Sequence, residues 1–111
     1  MSDAERKMVE AQGIHVLTST HTLGDDVNSA FGAVSPNIIV RQTLYSFCQG
    51  MKVAVEISLM AADAGLLDMS QYLIAIAGTD EGADTAIVLK PVNTQNFFDL
   101  KVKEILCKPH F

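Results

Sequence analysis

The stretch IAIAGTDEGADTAIVL, residues 74–89, places two apolar runs on either side of the polar loop GTDEGAD. One interpretation is a plain strand–turn–strand connection, in which Asp84 and Thr79 hydrogen-bond to the local backbone. The other is one wall of a ligand site, because glycines let backbone N–H groups come close to an anion. The loop is neither a P-loop nor a dinucleotide-binding motif, and its sequence leaves both interpretations open.

Three helical stretches lie upstream of this loop. Residues 3–12 are helix-prone and stop at Gly13. Ser35 and Pro36 are typical of a helix start, with a capping hydroxyl followed by proline in the first turn. A third helix is predicted from Val53 to Ala64, and its nearly all-round apolar character indicates that it is buried.

Four strands are predicted from apolar alternation or from continuous apolar runs, at residues 14–19, 72–78, 85–92 and 101–109. The run at 72–78 is typical of a strand covered on both faces. Strands that alternate with helices predict an α/β domain, built on a mixed, mostly parallel sheet with flanking helices. No full helix separates the last two strands, so one of them can be antiparallel. The whole chain, 1–111, is expected to form one domain.

Composition narrows the class of partner. The net charge of −5 argues against nucleic acid and anionic membranes, which both require a basic surface. No run of about 18 apolar residues predicts a membrane span. Cys48 and Cys107 lie in apolar surroundings without a secretory signal, which predicts two reduced, buried thiols in a cytoplasmic protein. No metal site is expected, since neither cysteine has further ligands nearby.

Several motifs in order carry a resemblance that covers nearly the whole chain: FGAVSP, GMKVAVEISLMAADAGLL, IAIAGTDEGADTAIVLKP and FFDLKVKEIL. Together they resemble stand-alone archaeal and bacterial proteins similar to the C-terminal α/β domain of pyruvate kinase. The resemblance implies that fold, and it implies FMN as a candidate cofactor. It also implies that the chain corresponds to the C-terminal half of such relatives. The chain is not expected to be a pyruvate kinase, because the barrel that carries that chemistry needs about 250 residues.

Ligands of parallel α/β sheets bind beyond the carboxyl ends of the strands. That rule and the resemblance predict ligand-binding residues in two loops, expected to line one shared cleft. They are Ser19, Thr20, His21, Phe31, Gly32, Gly78, Thr79, Glu81, Gly82 and Asp84. His21 is the candidate proton donor or acceptor, although a loop histidine commonly makes only hydrogen bonds. The helix that starts at Pro36 offers a further anion position.

Two carboxylates, Glu56 and Asp63, are seven residues apart on the predicted apolar helix and therefore share a face. An unpaired carboxylate there would be costly, so each is expected to have a partner or to reach water. The favoured interpretation is a structural ion pair or a polar stripe. A pair for acid–base chemistry is the alternative.

Two functions follow. The first is a binding domain for a nucleotide or phosphorylated ligand such as FMN, with catalysis left open. The second is a ligand-free assembly module, either a homo-oligomer or one half of a split protein whose N-terminal half is a separate chain. Asp25 and Asp26 favour the second, because acids repel a phosphate. The almost wholly apolar helix from Val53 to Ala64 favours it too, because a small domain has few layers with which to cover it.

Overall fold

The computed structural model describes residues 1–19 and 35–110. Its helices and strands follow the predicted order, except at residues 14–19. The helices are α1 (Asp3–Glu10), α2 (Pro36–Tyr45) and α3 (Gln49–Asp63), and the strands are β1 (Leu73–Ala77), β2 (Thr85–Lys90) and β3 (Lys101–Cys107). A short 3-10 helix, Thr94–Asp99, connects β2 to β3. No helix among these residues is long and apolar enough to cross a membrane.

The sheet has three strands in the order β1-β2-β3, and both pairings are antiparallel. The predicted mostly parallel sheet is therefore wrong. A parallel connection needs a crossover of a dozen or more residues. Residues 78–84 join β1 to β2, and residues 91–100 join β2 to β3. Both connections are too short for a crossover, so each joins neighbouring ends of two antiparallel strands.

The predicted first strand, residues 14–19, is also corrected. This segment is not part of a helix or strand, and it pairs with none of the three described strands. Its alternating pattern is typical of a strand, but a strand forms only where a partner edge is hydrogen-bonded to it. In this chain the segment lies across a cleft from β1 instead.

The core lies between α3 and one face of the sheet, here called the inner face. The buried apolar side chains are Cys48, Met51, Ala54, Val55, Leu59, Ala75, Ala77, Ile87 and Leu89. Helix α2 and the 3-10 helix both pack against α3. Most of α3 is buried within its own chain, and Ile57 is its exposed large apolar side chain, so the helix as a whole is not the surface that would require a partner.

The opposite face of the sheet, here called the outer face, is left open. Ile74 and Ile76 of β1 are 59% and 58% exposed, and Tyr72, just before the strand, is also exposed. The continuous apolar run at 72–78 therefore does not mark a strand covered on both faces. At the far edge, every residue of β3 is exposed, and two register shifts against β2 leave Lys103 and Leu106 without partners.

The predicted ends of the helices are confirmed at two glycines. Gly13 and Gly65 follow α1 and α3 with φ of +80° and +73°, a conformation that favours glycine. Both cysteines are unbridged, as predicted. Only Cys48 is buried, however, because Cys107 lies on the exposed strand β3.

Candidate functional site

The loop between β1 and β2 is a tightly closed hairpin connection. The Asp84 N–H donates to the Ala77 carbonyl at 3.0 Å, which closes the loop at its base. Gly78 lies so close to Gly82 that an added Cβ would fall 1.8 Å from the Gly82 carbonyl oxygen. The backbone of the loop therefore packs on itself, and Gly78 is required there by close approach.

Asp84 organises this loop through its carboxylate. Thr79 donates to Oδ2 twice, from its hydroxyl at 2.6 Å and from its N–H at 3.2 Å. The Thr85 hydroxyl donates to Oδ1 at 2.7 Å. These hydroxyls, Thr79 first, hold the pKa of Asp84 below its ordinary value. The interpretation of a turn whose side chains hydrogen-bond to the local backbone is confirmed for Asp84, which accepts from the Thr79 N–H, whereas the Thr79 hydroxyl donates to the Asp84 side chain instead of the backbone.

The same carboxylate lies at the N-terminal end of α3. Its Oδ1 is 2.9 Å from the point where a Cβ on Gly50, in the first turn of α3, would stand. A helix N-terminus favours a negative charge, because its first N–H groups have no partner within the helix. Asp84 thus supplies an anion from the chain itself, at a place where a bound phosphate would otherwise be favoured.

The structure brings five of the predicted ligand-binding residues together in this hairpin loop: Gly78, Thr79, Glu81, Gly82 and Asp84. Ser19 is exposed at the end of the extended N-terminal segment. The other four, Thr20, His21, Phe31 and Gly32, lie outside the described residues. The shared cleft between the two predicted loops therefore stays a prediction.

The helix start at Pro36 differs from expectation in one detail. Ser35 stands at the N-cap of α2, but its side chain makes no capping hydrogen bond. Its Oγ is buried without a hydrogen-bond partner. The predicted capping hydroxyl is therefore wrong, and the anion position predicted for this helix remains untested.

The two carboxylates of α3 have structural partners, as the favoured interpretation predicted. Lys52 donates to Glu56 Oε1 at 2.8 Å, and both side chains are almost completely buried. Asp63 accepts a hydrogen bond at 2.9 Å from the Thr94 N–H, which fixes the start of the 3-10 helix. Within residues 1–19 and 35–110, no group of three or more His, Cys, Asp or Glu side chains could hold a metal ion.

An apolar cleft beside β1, called here the β1 cleft, is the feature that the sequence interpretation missed. Its volume is about 400 Å³, and it lies where the free edge of β1 meets α3. Its lining residues are His15, Leu17, Ile57, Ser58, Met60, Ala61, Leu66, Leu67, Leu73, Ile74, Ala75 and Ile76. The short connection at 78–84 was the available signal, since it makes β1 and β2 a hairpin and leaves one side of β1 open to another element.

A small group of cations flanks the apolar outer face. The ammonium groups of Lys103 and Lys90 lie 4.3 and 5.4 Å from the centre of the Tyr72 ring. Lys90 also donates to the Ser70 carbonyl at 2.9 Å. The outer face therefore has an apolar centre on β1 and a charged rim towards β3, where Glu104 is opposite Val88, as many protein interfaces have an apolar core and a polar rim.

No protein-family model matches the chain. The resemblance to pyruvate kinase C-terminal-like proteins therefore stays a prediction. The antiparallel sheet removes one argument for a ligand site, since the rule that places ligands beyond strand ends applies to parallel α/β sheets.

Proposed function

We propose that this chain is an assembly module, which associates with a second copy of itself through the β1 side of its sheet. The observation that carries the proposal is the exposure of Ile74 and Ile76 on the outer face, beside the edge of β1 that pairs with no other described strand. Large apolar side chains that cluster on one exposed face are typical of protein interaction surfaces.

The residues across the sheet extend this apolar surface. Ile74 is opposite Val88 in β2, and Ile76 is opposite Ala86, so four aliphatic side chains adjoin on the outer face. A second copy packed there would remove these side chains from water, at about 25 cal/mol for each Å² of apolar surface buried. The half-buried side chains of β2 on this face, Ala86 and Val88, would also lose their remaining contact with water.

The composition of the β1 edge supports a strand-pairing partner. Soluble proteins protect open strand edges with lysines, prolines, bulges or a covering element. Strand β1 reads LIAIA and has none of the protective residues, whereas β3 carries Lys101 and Lys103 and two register shifts. An unprotected edge is consistent with a strand that is covered in the functional assembly. A second copy offers the same apolar surface, which a two-fold contact can match to itself.

The test is sedimentation velocity over a range of concentrations, with Ile76→Lys as the variant. A lysine on β1 places a charge in the proposed interface and is expected to weaken association at least tenfold. Ile39→Lys is the matched control, because Ile39 is 63% exposed on α2, away from the sheet. A wild-type chain that stays monomeric at high micromolar concentration contradicts the proposal, as does equal association of the two variants.

A small-molecule function is the second candidate, and the β1 cleft favours it. Ligand pockets commonly measure about 300–1,000 Å³ and are lined mainly by apolar side chains. The cleft is in that range, but no Lys or Arg is among the described residues that line it. It therefore suits an apolar ring better than a phosphate, and a nucleotide such as FMN would need its phosphate held elsewhere.

Flavin fluorescence titration tests this candidate with two related probes. Tighter binding of FMN than of riboflavin would indicate a phosphate site, in support of the nucleotide or phosphorylated-ligand hypothesis. Equal binding of both, weakened by Ile57→Asp in the wall of the cleft, would indicate a ring pocket alone. Absence of binding to either probe contradicts a flavin site.

A further inference from the structure

The N-terminal arm, residues 1–19, is the least supported part of the described chain. Helix α1 has no buried residue and packs against none of the other described helices or strands. A helix of eight residues is marginal in water without tertiary packing. Met8 is nevertheless 64% exposed on α1, so the helix presents an apolar side chain that its own chain does not cover.

Hydrogen bonds of Arg6 connect the two parts of the arm. Arg6 donates to the Val16 carbonyl at 3.1 Å and to the Thr18 hydroxyl at 3.3 Å. Its Nε also pairs with Glu10 at 3.0 Å. Helix α1 and the extended segment that follows it are thus joined by side-chain hydrogen bonds of Arg6.

The extended segment has the sequence pattern of a strand but pairs with none of the three described strands. Its residues alternate, IHVLTS, and Ile14 and Leu17 are both exposed large apolar side chains. His15 and Leu17 stand on one wall of the β1 cleft, and residues 73–76 of β1 form part of the opposite wall. The edge of β1 that no described strand occupies and a segment with strand-like alternation therefore lie on two sides of the same cleft.

We infer that the extended segment of one copy adds as a fourth strand to β1 of a second copy, and that the exchange is reciprocal. This inference rests on the proposed function and names the element that forms the contact. Main-chain hydrogen bonds to an open strand edge would provide affinity, and alternate side chains that enter the cleft would provide specificity. Leu17 would be removed from water together with Ile74 and Ile76.

Two observations favour the arm of a second copy over the arm of the same chain. Within its own chain the arm already stands beside β1, yet the cleft stays open and α1 packs against no other helix or strand. Exchange would place α1 against the surface of the partner, which could cover Met8. The 15 residues between the arm and Ser35 can extend over about 50 Å, so chain length permits the exchange.

The exposed area is consistent with such an exchange. The chain exposes 7351 Å², whereas a compact monomer of 12.0 kDa exposes about 6,000 Å². If each of two copies buried this excess of roughly 1,300 Å², the contact would bury about 2,600 Å² in total, which is within the range of about 2,000–5,000 Å² for obligate homodimers.

Cross-linking between two differently tagged, co-expressed copies of the full chain tests the inference. One copy carries Leu17→Cys and the other carries Ile74→Cys, both in a Cys107→Ser background, because Cys107 is exposed and Cys48 is buried. A short bis-maleimide should join the two copies into a covalent heterodimer. Ile39→Cys replaces Ile74→Cys in the matched control and should give at least tenfold less product.

A second variant tests the strand itself without a cross-linker. Val16→Pro removes a backbone donor from the segment, and proline does not continue a ladder, so the dimer should dissociate at least tenfold more easily. Suppose that the wild-type chain dimerises, that the cross-linker gives no heterodimeric product and that Val16→Pro does not weaken the dimer. This result overturns the exchange but leaves the proposed function standing. A doubly substituted single chain, Leu17→Cys with Ile74→Cys, that links only internally also overturns it. A monomeric wild-type chain overturns both.

Discussion

Gly50 and Thr85 are in such close contact that a Cβ added to the glycine would fall 2.1 Å from the threonine Oγ1. The glycine belongs to the first turn of α3, and the threonine is the first residue of β2. The missing side chain thus lets the start of the central helix lie directly on the sheet, next to the Asp84 carboxylate.

The first prediction concerns that contact. Gly50→Ala should lower the free energy of unfolding by about 1–3 kcal/mol, because the methyl group would overlap a buried, stiff side chain. This loss of stability should appear even though the helix propensity of alanine is higher than that of glycine by up to about 1 kcal/mol. Urea denaturation measures it, and Gly50→Ala should cost less in a Thr85→Ala background than in the wild-type chain, because the nearest atom that the methyl group would meet, Thr85 Oγ1, is absent there. An unchanged or raised stability of the single variant would show that the contact is looser than described.

The second prediction is a pH dependence at Asp84. The pKa of this carboxyl is lowered in the folded chain, first by the Thr79 hydroxyl, so its contribution to stability is full above the ordinary aspartate value of 3.8 and is lost as the pH falls through the lower folded value. Asp84→Asn should therefore destabilise the chain at neutral pH and make progressively less difference in that acid range. Asp80→Asn is the control, since Asp80 is exposed in the same loop. A deficit of Asp84→Asn that stays constant through the acid range would exclude this linkage.

The third prediction concerns the buried ion pair of Lys52 and Glu56. Lys52→Met should lower the free energy of unfolding by about 1.5–3 kcal/mol, because the wholly buried Glu56 carboxylate would lose a charged hydrogen-bond donor while it keeps its other contact. The double variant Lys52→Met with Glu56→Leu should be more stable than Lys52→Met alone, since it removes both charges together. Glu10→Gln breaks an exposed pair of the same spacing and should cost less than about 1 kcal/mol. A double variant less stable than Lys52→Met would contradict the reasoning.

The fourth prediction separates the two thiols by rate. In the native chain a thiol reagent should modify Cys107 rapidly and Cys48 slowly, because only Cys107 is exposed. After denaturation without reductant, both thiols should react. Cys107→Ser should remove the fast phase. Two fast phases in the native protein would mean that Cys48 is more accessible than its position in the core implies.

Local features of the chain predicted its elements well. Pro36, Gly13 and Gly65 mark helix ends because each restricts or permits backbone angles without help from distant residues. The length of the 78–84 connection could also have excluded a parallel pairing of β1 with β2, since that limit is a local property of the chain.

The environment of β1 could not be predicted in the same way. An apolar run such as residues 72–78 fits a strand that is covered on both faces and equally fits a strand with one open face, so the sequence does not distinguish them. Residues 14–19 show the converse, because their pattern fits a strand but a strand also requires an edge to pair with. Both outcomes depend on what packs beside the segment in three dimensions. For the candidate site, the Asp84 turn was foreseen as an alternative, whereas the β1 cleft exists only through the packing of α3 against the sheet edge.

The two edges of the sheet differ in a way that limits how many copies can join. Strand β3 carries lysines, and two of its residues lack partners in β2, so it is a poor template for further pairing. Head-to-tail growth into a filament would require β1 of one molecule to meet β3 of the next. With only β1 competent among the described strands, the proposed association would end at a closed pair, and the contrast between the two edges would set its stoichiometry.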